Sequence, residues 1–330
     1  MKNWHTTFVV GIVVAIVVAL LLFRGSPAAA PEEDYPTRTI NLYIGSPPGG
    51  SLDLSGRVLA ERLISTLGEQ VVIVNKPGGT QTVAFAFVSN ARPDGYSLVY
   101  VLNPYLTMKK IEEPGLPFDP SEMTWLGSMY KFNFMLTVRA DSPWQTYEEF
   151  VDFAKTNPDE VVFGSDGGGG AQHIAQLQFA ELAGIESFTH VPFAGGGRTV
   201  VALLGGHVDA ITTSPGPTAA YVKSGDLRYL VNLAPRRNPE FPDVPSTQEK
   251  GMILTAGGWM GFAGPRDLPA AIAEKLTEAL YEAATTDEAK AIFKEMGWEY
   301  DYRPPEDNLR MWQEEETIYG EQMRRLGLIR

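Results

Sequence analysis

The chain contains no cysteine among its 330 residues. That absence excludes disulfides, thiolate metal sites, cysteine nucleophiles and an acylated-cysteine lipid anchor. Histidine is also scarce: His5, His173, His190 and His207 are the full set. With no His-Glu-x-x-His pair and no carboxylate-dense loop, no metal is expected. Positive charge is short as well. Lys and Arg total 27 against 40 Asp and Glu, a net charge of −13. Phosphate neutralisation needs a basic face, so a nucleic-acid partner is not expected. There is no Gly-x-x-x-x-Gly-Lys-Ser/Thr loop. Gly164-Ser165-Asp166-Gly167 is a poor dinucleotide fingerprint. No cofactor of any kind is expected.

Long apolar runs are missing except at the start. Lys2 and His5 precede an apolar stretch from Phe8 to Phe23, followed by Arg24-Gly25-Ser26-Pro27 and Ala28-Ala29-Ala30. Residues 1–30 read as a secretory signal peptide, or as an uncleaved N-terminal anchor tethering the chain to the inner membrane. Either way the body is expected to be exported, hence periplasmic.

What is present is an alternation of short apolar strands, glycine-rich turns and helices. Thr39–Ile44 reads as a strand, and Leu52–Leu67 as a helix with Leu59, Leu63 and Leu67 at four-residue spacing and Gly68 as its stop. Comparable units recur through residue 102, and again between residues 134 and 233, before a helical tail. Residues 103–121 carry several prolines and read as irregular. Strands separated by helices imply parallel sheets with crossover helices. Two such sets suggest two lobes with a cleft between them. The lobes are expected as residues 35–128 plus 233–330, and residues 129–232.

The turns carry the functional signal. Ile44-Gly45-Ser46-Pro47-Pro48-Gly49-Gly50-Ser51 runs from strand into helix through glycine. Such a junction leaves the first helical N–H groups bare, and the positive end of the helix dipole suits an anion. Similar turns lie at Asn75–Gln81, Ser165–His173 and Val191–Gly197. In open α/β sheets, ligands sit beyond the carboxyl ends of the strands, where these turns lie.

The ordered motifs resemble a known family. Tyr35–Ile40 is similar to its opening strand, and Pro48-Gly49-Gly50-Ser51-Leu52-Asp53 to its Pro-Gly-Gly-x-x-Asp loop. Asn75-Lys76-Pro77-Gly78, Pro93-Asp94-Gly95-Tyr96, Ser165–His173, Val191-Pro192-Phe193-Ala194-Gly195, Leu204–Asp209 and Trp259–Pro265 follow in order. From Tyr35 to Met296 the chain resembles the Bug family of periplasmic receptors, the solute-binding proteins of tripartite tricarboxylate transporters. The resemblance implies an α/β, two-lobed periplasmic-binding-protein fold of type II, with parallel-rich sheets flanked by helices and two interlobe crossovers. It implies a monomer that is no enzyme, holds a small organic carboxylate in its cleft and delivers it to membrane permease subunits. One carboxylate would be held by backbone donors of facing loops, partly through ordered waters.

The expected ligand-binding set is Gly50, Ser51, Leu52, Thr80, Gln81, Ser165, Gly167, Gly168, Phe193, Ala194 and Gly195. Asp166, His173, Arg198 and Asp209 stand beside it. Ser51 reads either as a cap of its own helix or as a ligand donor. Asp53 reads as a structural carboxylate in a first helical turn. His173 reads as a packed histidine that fixes its loop, Asp209 as a turn anchor, and Arg198 as a solvated cation or the partner of a distal carboxylate. Where the family has Tyr-Lys, this chain has Phe193-Ala194, losing a hydroxyl and a cation, and Asp166 adds a carboxylate. These departures predict a ligand with one carboxylate and a less charged, partly apolar remainder. Two other readings stand beside the receptor: an exported hydrolase or isomerase using Ser165 and His173, and a ligand sensor without a transport role.

Overall fold

Apolar alternation forms the first strand, β1 (Ile40–Ile44), in which Ile40, Leu42 and Ile44 are fully buried and the residues between them are not. The computed structural model describes residues 34–329. The expected signal peptide or anchor, residues 1–30, lies outside them. Gly45 ends β1, and helix α1 (Ser51–Leu67) buries Leu52, Leu59, Leu63 and Leu67. Gly68 stops it in the left-handed conformation, φ 74°, which glycine adopts without a Cβ clash. Strand β2 (Val71–Asn75), helix α2 (Thr82–Ser89) and strand β3 (Ser97–Asn103) complete the first parallel unit.

The proline-bearing stretch after β3 is not wholly irregular. It holds helix α3 (Tyr105–Glu112), whose Tyr105, Leu106, Thr107 and Met108 are all buried. A short helix whose first four residues are all buried has little amphipathic period, so local sequence does not announce it. Strand β4 (Thr124–Asn133) follows and then, after Phe134, β5 (Met135–Arg139).

The second series is α4 (Tyr147–Thr156), β6 (Val162–Ser165), α5 (Ala171–Ala183), β7 (Thr189–Pro192), α6 (Gly196–Leu204), β8 (Ala210–Thr213), α7 (Ala219–Ser224) and β9 (Leu227–Asn232). A capping box of Thr146 and Glu149 opens α4. The return carries β10 (Gly257–Gly264), α8 (Ala270–Thr285), α9 (Asp287–Glu295), β11 (Glu299–Arg303) and α10 (Pro305–Arg325).

These strands build two sheets, ordered β11-β4-β10-β3-β1-β2 and β7-β6-β8-β5-β9. Each has a parallel core, β2-β1-β3 and β7-β6-β8, extended by antiparallel strands. Both sheets are therefore mixed, because β4, β5, β9 and β10 are the strands on which the chain leaves and returns. The chain passes from the first sheet to the second at Phe134 and back between β9 and β10. Backbone hydrogen bonds knit the two passages: Leu233 N to Phe134 O (2.8 Å), Phe134 N to Ala256 O (2.8 Å) and Ala256 N to Leu233 O (2.9 Å). The expected boundary at 128/129 falls inside β4, whose Met129–Asn133 segment stays in the first sheet and pairs with β10 through Asn133 and Gly257.

In the first sheet's core, Phe85, Val99, Leu106, Trp125, Trp259 and Trp312 pack α2, α3 and α10 onto the strands. Burial of several such aromatic side chains, each worth roughly 1.5–3 kcal/mol, dominates the stability of this half. In the second sheet Val200, Leu203, Val208, Ile211 and Leu227 hold α6 down.

Candidate functional site

A cavity of about 340 Å3 opens between the sheets, at the carboxyl ends of β1, β3, β6, β7 and β8. Its walls include Gly45 and Ser46 after β1, Leu102 near the end of β3, Asp166 after β6, Ala194 after β7 and Ser214 after β8. Phe132 and Phe134 contribute from the crossing segment.

Helix N-termini surround the cavity. Leu52 lies in the first turn of α1, Gln81 is the N-cap of α2, Tyr105 opens α3, Gln172 lies in the first turn of α5 and Gly196 opens α6; all of them line the wall. None of these helices has a side-chain N-cap bond, but the first N–H groups of α2, those of Thr82 and Val83, already donate to Gly79 O (3.2 Å) and Gly78 O (3.5 Å), so the open N-termini are those of α1, α3, α5 and α6. Uncapped donors and aligned dipoles give the wall a positive partial charge without any cation.

The loops approach closely because glycine allows it. A Cβ at Gly45 would lie 2.5 Å from the Gln81 Cα, so the end of β1 and the start of α2 touch backbone to backbone. Thr80 and Gln81 are both left-handed, at φ 54° and 75°. A β-branched residue there is a genuine outlier, held by its surroundings. The clamp is the buried Gln81 amide, whose Nε2 donates to Leu102 O (2.8 Å) while its Oε1 accepts from Leu102 N (2.9 Å).

Across the cleft, the Ser51 and Ser214 hydroxyls share a 2.5 Å hydrogen bond. Asp53 stays behind the cavity wall. It accepts from Gly49 N (3.0 Å), from Asn75 Nδ2 (2.9 Å) and from Arg57 in a bidentate pair (2.9 and 3.1 Å). Burial alone would raise its pKa, but the donors of Arg57, Asn75 and Gly49 outweigh that and hold it below the usual range.

Of the residues expected from sequence, the structure brings Gly50, Ser51, Leu52, Thr80, Gln81, Asp166, Ala194 and Gly195 to this cavity. Ser165, Gly167, Gly168, Phe193, His173, Arg198 and Asp209 are not in its lining. Ser165 is fully buried: its Oγ donates to Gly167 O (2.8 Å) and contacts His190 Nε2 (2.7 Å). The Ser165 hydroxyl therefore has a carbonyl acceptor of its own loop beside the imidazole contact. His173 stacks on His190 at 3.7 Å, and its Nδ1 accepts from Gly169 N (3.0 Å). Burial and the neighbouring His190 push His173 down to about 4, and burial lowers His190, so both rings are neutral at pH 7. These groups fold the glycine-rich loop.

Phe193 packs against the second core. Asp209 accepts from Val162 N (2.9 Å) and anchors the start of β6. Arg198 is exposed, on a neighbouring groove with Val201, Pro217 and Tyr221.

Sequence reasoning missed Tyr105, Gln172, Ser214, Phe132 and Phe134, all in the lining. Ser214 was findable, as the residue following a strand that points at the cleft. Gln172 directly precedes His173 in the Ser165–His173 segment. It accepts from Asp166 N (3.1 Å) and donates to Thr213 Oγ1 (3.4 Å). Asp166 itself is held up to about 7 by burial, with the Tyr105 hydroxyl bond pulling it partway back.

Three comparisons bear on this arrangement. The family of tripartite tricarboxylate transporter family receptors, TctC, matches residues 56–328. The UPF0065 protein of the gbd 5′ region of Cupriavidus necator is 32% identical over 271 residues, 82% of each chain. Among solved structures, the periplasmic binding protein BugD superposes with a TM-score of 0.83 at 26% identity, covering 89% of this chain and 99% of its own. MatC of Rhodopseudomonas palustris, with bound malate, gives 0.79 at 25%, covering 87% and 99%. With this two-lobed α/β fold and a match over most of its length, the chain belongs to the Bug family of tripartite tricarboxylate transporter receptors, which are solute-binding proteins and not enzymes.

Proposed function

We propose that this chain is an exported, periplasmic receptor that captures a small organic carboxylate between its lobes and hands it to the permease subunits of a tripartite tricarboxylate-type transporter. The observation that carries the reading is the convergence of the uncapped N-termini of α1, α3, α5 and α6 on one cavity. Bare N–H groups suit a carboxylate, and the enclosed setting strengthens each charge-assisted bond. Malate-bound MatC supports the same ligand class. Residues 35–133 plus 234–329 act as one lobe and residues 135–232 as the other, with Phe134 and Leu233 at the pivot.

The ligand carries one carboxylate and a partly apolar remainder. Leu52, Leu102, Phe132 and Phe134 supply apolar wall, and no Lys or Arg is present among the described lining residues. Burying a second or third carboxylate without a cation is expensive. Thermal-shift screening against an organic-acid panel tests this. A cognate acid at a hundredfold excess over its Kd stabilises the native state by about 2.7 kcal/mol. Citrate is expected to leave the melting temperature unchanged. Lack of stabilisation by every carboxylate would refute the receptor reading, and tight citrate binding that survives Arg198→Ala would refute the charge argument.

A further inference from the structure

Glu315 lies outside the cavity, on α10, yet it ties together the chain that forms part of the wall. Its Oε1 accepts from Trp259 Nε1 (2.7 Å), and its Oε2 accepts from Asn103 Nδ2 (2.6 Å) and Thr107 Oγ1 (3.4 Å). Asn103 Nδ2 also donates to Thr107 Oγ1 (2.7 Å). Trp259 and Asn103 face each other across β10 and β3, and Thr107 lies in the first turn of α3. One carboxylate thus gathers a strand end, its neighbouring strand and the following helix. All three donors are neutral and buried. Packing pushes the Glu315 carboxyl up to about 7, against the pull of those donors, so the group is ionised at pH 8.

We propose that Glu315 is a positioning residue for the ligand cavity: its carboxylate fixes the segment from Leu102 to Tyr105, and ligand affinity depends on that hold. The inference rests on the receptor reading in taking this cavity as the ligand site. Leu102 and Tyr105 both line the wall, and Asn103 and Pro104 are the link between them. Leu102 is held through its backbone by Gln81. Beyond the link, α3 has no side-chain N-cap, and Pro104 has no N–H to give. The bonds from Asn103 and Thr107 to Glu315 set the start of this helix against β10 and α10, and with it the place of Tyr105.

The geometry requires a carboxylate. Three donors converge on two oxygens, and an ionised carboxyl offers acceptors only. Glu315→Gln supplies one oxygen and one NH2, and that NH2 faces either the Trp259 N–H or the Asn103 amide NH2. Turning the Asn103 amide over to meet it sends Nδ2 to the position of Oδ1, which is buried and has no partner. A donor left unpaired there is costly. Complementarity returns in the pair Glu315→Gln with Asn103→Asp. The relocated carboxylate accepts from the new amide NH2 and from Thr107, while the new amide oxygen keeps the Trp259 N–H.

The test compares the parent chain, Glu315→Gln and the double variant Glu315→Gln/Asn103→Asp at pH 8, at a temperature where melting shows each to be folded. Amide hydrogen exchange reads the ligand-free protein, and calorimetry reads affinity for isocaproate, benzoate, butyrate and malate. Glu315→Gln is expected to speed exchange across residues 102–108 and leave the second sheet unchanged. It is expected to weaken whichever acid binds the parent by roughly tenfold, as for loss of an outer-shell partner. The double variant is expected to recover both. Should Glu315→Gln not fold, Thr107→Val deletes one member of the ring, and the same two readouts are expected to move the same way. Faster exchange with unaltered affinity would make Glu315 a brace of the fold and overturn the positioning role. Unaltered exchange, or an affinity loss that the double variant does not recover, would overturn it too. Binding of none of these acids to the parent would overturn the carboxylate reading and the affinity claim with it, while the exchange pattern separately decides whether Glu315 holds the wall.

Discussion

Ser165 and His173 look, in sequence, like the most reactive pair in the chain, and the structure spends both on one loop. Ser165 bonds Gly167 and His190; His173 receives Gly169 N and stacks on His190. Their chemistry is conformational, and it carries a pH signature. His173 is lowered from 6.5 to about 4 by burial and by His190, so the folded chain binds fewer protons than the unfolded chain between those values. The stability this gives is complete above about pH 6.5 and is lost as pH falls towards 4. His173→Asn keeps an acceptor for Gly169 N but does not titrate. Its melting temperature is expected to fall less steeply between pH 6.5 and 4, a difference on the order of 1–3 kcal/mol in thermal melts. Identical slopes for the two proteins would contradict the neutral buried ring.

Among elements, α2 and α3 matter most to the cavity and are read least well from local pattern. The entry to α2 turns through left-handed Thr80 and Gln81, which no propensity favours. Its cost is met by the paired bonds between the Gln81 amide and Leu102, which imitate a strand contact and tie α2 to the end of β3. Gln81→Ala removes both bonds and leaves Leu102 polar groups short of partners. A loss of about 2–3 kcal/mol is expected in denaturant unfolding, together with weaker ligand binding in calorimetry. A near-neutral result would mean that the turn is held by other contacts. Helix α3 places Tyr105 on the wall beside Asp166, yet the prolines around it and its buried first turns hide the helical period.

At the scale of the whole molecule, the two halves touch where the glycine turns face each other. Ser51 meets Ser214, and a Cβ built on Gly195 would lie 3.1 Å from the Pro47 ring, at a backbone φ of 96° that side chains rarely adopt. Gly195→Ala therefore obstructs this approach of the two halves twice, by contact and by backbone strain. Ligand affinity is expected to fall by roughly tenfold, about 1.4 kcal/mol, and the ligand-saturated radius of gyration in solution scattering to exceed that of the parent. Unaltered affinity and an unaltered radius would show that closure does not need this approach.

The alternation of strand, glycine turn and helix and the ordered motifs are local properties, legible along the chain. The Pro48–Asp53 and Asn75–Gln81 turns could be placed on the cavity wall because a strand running through glycine into a helix is written in consecutive residues. What the chain did not disclose is which neighbours share a wall. Ser165 and Asp166 are adjacent, but successive side chains at a strand end point to opposite sides. Ser165 turns inward to His190 and Asp166 to the cavity. Ser51 and Ser214, 163 positions apart, meet only when both sheets are in place. The charge of the cavity is likewise a tertiary fact. Arg198 stands outside it and Asp166 within, because the direction of each side chain depends on the packed sheet and not on sequence distance.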